Sequence, residues 1–513
     1  MLGREAGTLG NVKGTSYIAA EAAKLGLRPA GDSGTFFQTV PLVLHRPDPA
    51  SKLVANGAPL VLGTDYVVLP SFGGLFGSSL DASNIQAVYA GRLGDSAEHL
   101  PSALTQGKIV IFDAPRGPDG RPSGQLRGRG ALEQYANAAA VAIAVLDYVP
   151  PAMARRLAQP QTEVQGAELG GATGKPLGLL ISQRAATQML GAPFNSLQVG
   201  SNGQTISGMV RMLDTPTPYP ARNVVAIYPG SDPSVAGEYV AIGAHNDHLG
   251  IDDHASDHDS ARTALIERWQ VRGLDPEGPQ PTPTQIATMR INMDSLRRLH
   301  KARRDSIFNG ADDDGSGSVS VLEIAQDFVR SADKPRRSIL FVWHTGEEKG
   351  LLGSQYFTDN PTIPRDSIVA QLNMDMVGRG GAADIKGGGP AYLELVGSRR
   401  LSTELGDIVE SVNKTEPAPF TFDYQFDANG HPENIYCRSD HYEYARYGIP
   451  IVFFTTGLHE DYHQITDEAQ YIDYDHMARV DKLVYDIAMK VADLDHRVVV
   501  DKPKPDPHGQ CRQ

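Results

Sequence analysis

Cysteine is nearly absent: Cys437 and Cys511 are the only two among 513 residues. Two positions cannot build a cysteine zinc cluster or a disulfide framework, so any metal must be held by histidine and carboxylate. Whether the two pair is open at this level. Long apolar runs are missing as well. No stretch approaches the roughly 18 consecutive apolar residues of a membrane helix, and the opening MLGREAGTLGN lacks a signal peptide's apolar run. The expectation is a chain that is either cytosolic or begins after a removed signal. Positive charge is in deficit: a formal net charge of −14 argues against a nucleic-acid partner, because phosphate binding needs a basic surface.

What is present is an ordinary globular composition, 41% hydrophobic and 21% charged, in a chain too long for one core. Two or three domains are expected. Ile18, Ala22 and Leu25 share a face and predict a helix over 12–25, stopped by Gly26 and Pro29. Residues 59–211 are strand-rich with glycine punctuation: YVVL, IQAVYAG, GKIVIF and PLGLLIS read as strands, and 131–144 as an alanine-rich helix. TPTPYPARN (215–223) marks a boundary.

Beyond it, YVAIGA, SILFVW, IVAQLNM and IPIVFFTT are short apolar runs of the buried-strand type. Helical faces lie between and after them, such as Val321, Ile324, Ala325 and Phe328, or Met477, Val480, Val484, Ile487 and Val491. Strands alternating with helices predict an α/β fold with a mostly parallel sheet flanked by helices. Residues 252–306 form a long insertion with helices expected near 260–272 and 283–304. The second carries Arg290, Arg297, Arg298, Lys301, Arg303 and Arg304, which read as a solvated face. The proline-rich stretch 501–513 is expected to be a flexible tail.

Acidic and histidine residues follow the predicted strands: His245 in GAHNDHLG, Glu347 and Glu348 in HTGEEKG, Asp375 in NMDMVGR and His463 in HEDYH, with Asp313 in NGADDDGSG. Ligands of open α/β sheets bind beyond the carboxyl ends of strands, so these groups can converge across more than 200 positions. Carboxylates crowded into one cleft repel each other unless a cation neutralises them. Imidazole with hard oxygen ligands suits zinc, with cobalt or manganese as alternatives.

Two motifs compete with this reading. DDDGSGSVSVLE (312–323) has the spacing of an EF-hand calcium loop, but it lacks a paired hand, and Val321 and Leu322 read as helix core. HEDYH matches the zincin pattern HExxH, which requires a helix, whereas this segment follows a strand and Gly457.

At these residues the chain resembles the M28 family of zinc peptidases, particularly members with an inserted protease-associated domain. AHNDHLG, NGADDDGSG, GEEKGLLGS, NMDMVGR and RSDHYEYARYGIPIVFFTTGLHEDYH follow the family's blocks in order. The resemblance implies a helical segment at 1–58 packing on the catalytic domain, a β-rich protease-associated domain at 59–211, and a catalytic domain at 212–500. It also implies two zinc ions per chain. Asp313 would bridge them, one adding His245 and Asp375, the other Glu348 and His463. Asp247 would orient His245, Glu347 would be the general base, and Tyr436 would stabilise the tetrahedral oxyanion. HEDYHQITDE lacks the family's usual Thr-Pro after the ligand histidine, which leaves His459 as an alternative.

The function expected from the resemblance is removal of N-terminal residues from peptides, with secretion or a periplasmic location. Its alternatives are a carboxypeptidase or single-zinc glutaminyl cyclase on the same fold, and a non-catalytic binding ectodomain.

Overall fold

The structure is a computed structural model that describes residues 2–69, 75–94, 99–117, 119–123, 129–149, 157, 160–165, 174–257, 304–382, 384–385, 387–509 and 511–513. It divides into two units: Met1–Pro41 with Thr217–Gln513, and Leu42–Pro216.

In the first unit, Ser338–His344, Tyr239–His245, Ile368–Met374 and Ile451–Thr455 lie side by side in parallel. The flanks reverse direction: Ala221–Tyr228 is antiparallel to Ser338–His344, and Tyr392–Val396 to Ile451–Thr455. The sheet is therefore parallel at its centre and mixed at its margins. Alternation along Tyr239–His245 explains why both faces are covered. Val240, Ile242 and Ala244 join one apolar cluster with Ile18, Phe328 and Val484, while Tyr239 and Ala241 join another with Phe357 and Tyr444. Helices Leu9–Lys24, Gly315–Arg330 and Tyr474–Ala492 supply the first cluster, and Leu352–Asp359 and His441–Ala445 the second.

Two expectations change here. Within the expected flexible tail, residues 511–513 are tied down: Cys511 is bonded to Cys437, and the Gln513 side chain hydrogen-bonds to the backbone of residues 426, 428 and 436. At the insertion, Ile251–Asp257 and Arg304–Ile307 pair antiparallel. Arg304 thus belongs to a strand, and the two expected helices otherwise lie outside the described residues.

The second unit is β-rich, as its composition predicts, with a sheet running from Gln161–Val164 through Leu42–Pro47, Asn202–Pro216, Ser79–Arg92, Ile109–Asp113, Ala140–Ala144 and Leu177–Ile181 to Tyr66–Val68. Its border falls at Leu42 rather than 59, because Leu42–Pro47 and Lys52–Ala55 both pair with Asn202–Pro216. The helix expected at 131–144 is instead a short 3-10 segment, Arg129–Tyr135, followed by the strand Ala140–Ala144. Alanine favours helix, yet AVAIA lies between two parallel partners, Ile109–Asp113 and Leu177–Ile181, and is buried throughout. Tertiary pairing overrides the local preference.

Candidate metal centre

The parallel strands bring their carboxyl ends to one edge. His245 closes its strand, Glu347 and Glu348 follow His344, Asp375 follows Met374, and His463 lies in the loop after Thr455. Asp313 reaches the same place from the turn that starts helix Gly315–Arg330, and the three aspartates of that turn divide the work. Asp312 accepts from Gly378 N, Ser316 Oγ and His459 Nε2. Asp314 accepts from His245 N, Gly317 N and Met376 N. With its neighbours fastened to the framework, Asp313 is left facing the centre. Asp467 secures the turn by accepting from the amides of Asp312 and Asp313. Gly310 permits this packing: a Cβ there would lie 2.1 Å from Asp313 O and 2.6 Å from the His248 ring.

Asp313 presents one carboxylate oxygen to each side. Its Oδ1 is 3.1 Å from His245 Nε2, and its Oδ2 is 3.0 Å from His463 Nε2. On the first side Asp375 Oδ1 lies 3.6 Å from His245 Nε2. On the second, Glu348 Oε2 lies 3.0 Å from His463 Nε2. Tetrahedral zinc at its usual bond lengths holds neighbouring ligand atoms about 3.3 Å apart, so both clusters have a fitting size. Buried atoms support that fit: His245 Nε2 and Asp313 Oδ2 have no hydrogen-bond partner of good geometry. Among the described residues, the groups able to hold a metal are His245–Asp313–Asp375 and His248–Asp313–Glu348.

The electrostatics express the same crowding. Burial works against a charge on His245, but Glu347, Asp375, Asp247 and Asp313 together hold its pKa well above the ordinary value. Burial pushes Glu347 well above the usual carboxylate range, with Asp375, Glu348 and Asp440 adding to the rise. Asp313 goes the other way: although burial opposes it, the close imidazoles of His245, His463 and His248 hold it well below. One carboxyl in this cluster thus favours its proton while its neighbour stays ionised.

Of the residues singled out from sequence, His245, Asp313, Asp375, Glu347, Glu348 and His463 come together. Asp247 stands beside His245, whose Nδ1 is 3.1 Å from the Asp247 carbonyl oxygen and 3.7 Å from its Oδ1. His459 does not enter the cluster but turns to Asp312. This also removes the EF-hand arrangement, because Asp312 and Asp314 bind backbone and Glu323 lies within helix Gly315–Arg330. HEDYH is not helical, as expected.

The Tyr436 ring packs on Arg400, His441 and Tyr442, beside Gly397, and these contacts include none of the candidate ligands. One residue was missed. His248, fully buried, places Nδ1 2.5 Å from Glu348 Oε1. The repeated histidine of HNDHLG was the available signal, but strand periodicity could not tell which side of the turn it would face.

A cavity of about 50 Å³ opens onto Asp313, Glu347, Asp375 and His463. Its remaining wall is largely apolar: Met376, Phe426, Ile435, Phe453 and Leu458, with Arg438 and Tyr462 at the side. Tyr462 stacks on His463 at 3.8 Å, and its hydroxyl accepts from Arg438 Nη2.

Residues 292–488 match peptidase family M28. Leucine aminopeptidase 1 of Arthroderma otae is 31% identical over 202 residues, covering 36% of this chain and 48% of the relative. Leucine aminopeptidase 1 of Penicillium rubens is 29% identical over 194 residues, covering 36% and 47%. The chain spans about half the length of the curated relatives it matches. Among solved structures, the aminopeptidase from Aneurinibacillus sp. strain AM-1 aligns over 98% of this chain and 93% of that one, at 17% identity and a TM-score of 0.48.

Proposed function

We propose, from the match of residues 292–488 to peptidase family M28, that this chain is a two-zinc aminopeptidase. The observation that carries the reading is Asp313, whose two carboxylate oxygens each lie about 3 Å from a different histidine. His245 and Asp375 would hold one ion, Glu348 and His463 the other, with Asp313 shared.

A bound zinc pair supplies Lewis acidity toward water and the scissile carbonyl. The chain's own residues do the rest. Glu347 accepts a proton from the attacking water and returns it to the leaving amine. Burial and the neighbouring carboxylates raise its pKa, which strengthens it as the base in the first transfer. Asp247 orients His245 and also accepts from the Glu347 amide, so one residue sets both a ligand and the base. The similarity to leucine aminopeptidase 1 favours N-terminal over C-terminal cleavage. The small apolar wall suits one uncharged side chain, so leucyl and similar N-termini are the proposed substrates.

The Leu42–Pro216 unit fits the role of a protease-associated domain, since among the described residues both candidate metal groups lie in the other unit. The Cys437–Cys511 bridge suits an oxidising compartment and supports a secreted or periplasmic location. No helix among the described residues is long and apolar enough to cross a membrane.

The test combines metal analysis with a panel of aminoacyl-anilides, N-acetylated peptides, C-terminally cleavable peptides and peptides starting with glutamine. The expected result is two zinc ions per chain and cleavage of unblocked substrates only. One zinc with cyclisation of glutaminyl peptides, or equal cleavage of acetylated peptides, would overturn it.

A further inference from the structure

The cavity wall is carried by a segment with little regular structure. Between strands Thr421–Asp423 and Ile451–Thr455 the chain makes only short turns before helix His441–Ala445, including the 3-10 segments Gln425–Asp427 and Ile435–Cys437. Phe426, Ile435, Arg438 and Ser439 from this stretch line the cavity. Ser439 also donates to Asp375 Oδ2 at 2.7 Å, so the stretch touches the candidate metal centre. Its backbone groups have no ladder to pair with, and buried amides and carbonyls require partners.

Local turns supply some of those partners, and Glu394 and Arg400 bind Phe426 N and Asp427 O, but a further set comes from far along the chain. Gln513 Oε1 accepts from Tyr436 N at 2.9 Å. Its Nε2 donates to Phe426 O at 2.7 Å and to Ala428 O at 3.1 Å. The acceptor and both N–H groups of one carboxamide are thus matched to backbone on both sides of the loop. The main-chain oxygen of Gln513 accepts from Gly430 N at 3.2 Å. Two residues earlier, Cys511 is bonded to Cys437, beside Tyr436. A disulfide and four hydrogen bonds therefore join residues 511–513 to the cavity-bearing loop.

We propose that residues 511–513 form a brace that sets the shape of the side-chain cavity, with Gln513 as the positioning residue. The brace rests on the aminopeptidase reading for what the cavity holds, but its mechanical part stands on the hydrogen bonds alone. By fixing Phe426 relative to Ile435 and Arg438, Gln513 sets how closely the wall fits a branched apolar side chain. A small side chain makes little contact with that wall and gains little from the brace.

The test uses Gln513→Ala in the full chain, assayed with leucyl- and alanyl-anilides, together with zinc content and amide hydrogen exchange of residues 424–439. KM for the leucyl substrate should rise roughly tenfold, a loss of binding rather than of turnover, and the alanyl value should move much less. Zinc content should be unchanged, and exchange at Phe426 and Tyr436 should accelerate. Gln513→Glu keeps the acceptor for Tyr436 but loses both donors, so it should recover only part of the leucyl preference. An unchanged leucyl-to-alanyl ratio with unchanged exchange would overturn the brace. If the unaltered chain cleaves neither anilide, the aminopeptidase reading fails separately, and the exchange measurement alone decides whether Gln513 holds the loop.

Discussion

His248 Nδ1 lies 2.5 Å from Glu348 Oε1, while the other oxygen of the same carboxylate, Oε2, lies 3.0 Å from His463 Nε2. One end of Glu348 is anchored and the other is presented to the second cluster. His248 Nδ1 is 3.9 Å from Asp313 Oδ2, against 3.0 Å for His463 Nε2, so in the proposed ligand set His463 binds the ion and His248 orients Glu348. Residues that orient a metal ligand typically contribute about 10–100-fold in metal affinity. His248→Ala should therefore weaken one zinc by that factor and leave the other in place, as measured by titration with a competing chelator. His248→Asn, which keeps an N–H donor, should restore part of the loss. Loss of both ions together would show that His248 only fills space.

The adjacent glutamates should separate cleanly. Glu347→Gln keeps size and hydrogen bonding but cannot accept a proton, so kcat should fall by about 10²–10⁴ with both zinc ions retained. KM should change little, because the lost interaction acts in the transition state. Glu348→Gln should instead lose occupancy of one ion. The reverse pattern, with metal lost from Glu347→Gln and full turnover in Glu348→Gln, would exchange their roles.

A pH effect on stability should come from Glu394, far from the metal ligands in sequence and paired with Thr455 in the sheet. Burial raises its pKa from 4.5 to about 8, Asp423 and Asp427 adding to the rise against hydrogen bonds from Phe426 N and Tyr392 Oη. A raised folded pKa means that the folded chain holds a proton which the unfolded chain releases. The resulting stabilisation is complete below the unfolded value of 4.5 and is lost as pH rises through about 8. Thermal unfolding between pH 5 and 9 should show this decline, on the order of 4 kcal/mol, and Glu394→Gln should flatten it. An equal slope in the variant would assign the effect to other groups.

Tyr436→Phe tests whether the Tyr436 hydroxyl takes part in the reaction. Its ring contacts are retained in phenylalanine, so turnover should stay within a few-fold of normal and zinc should be unaffected. A fall of 10²–10³ in kcat, the usual effect of removing an oxyanion donor, would show that the loop swings Tyr436 inward during the reaction.

Sequence by itself determined the alternation of strands and helices in the first unit, because each buried strand is a short apolar run and each helix has a 3.6-residue face. It also marked acidic and histidine residues that meet in the fold, since they sit in glycine-bearing turns, most of them directly after those runs, where strand direction brings them to one edge. Only the tertiary structure decided the rest. That Asp313 rather than Asp312 or Asp314 faces the centre depends on distant partners, Gly378, His459 and His245, that no local pattern reveals. The strand Ala140–Ala144 overrode a helical composition because two parallel neighbours supplied its hydrogen bonds. His248 and Gln513 acquire their roles from contacts 100 and 77 or more positions away. Spacing in a sequence encodes which face of an element a side chain occupies; it does not encode what the chain folds against that face.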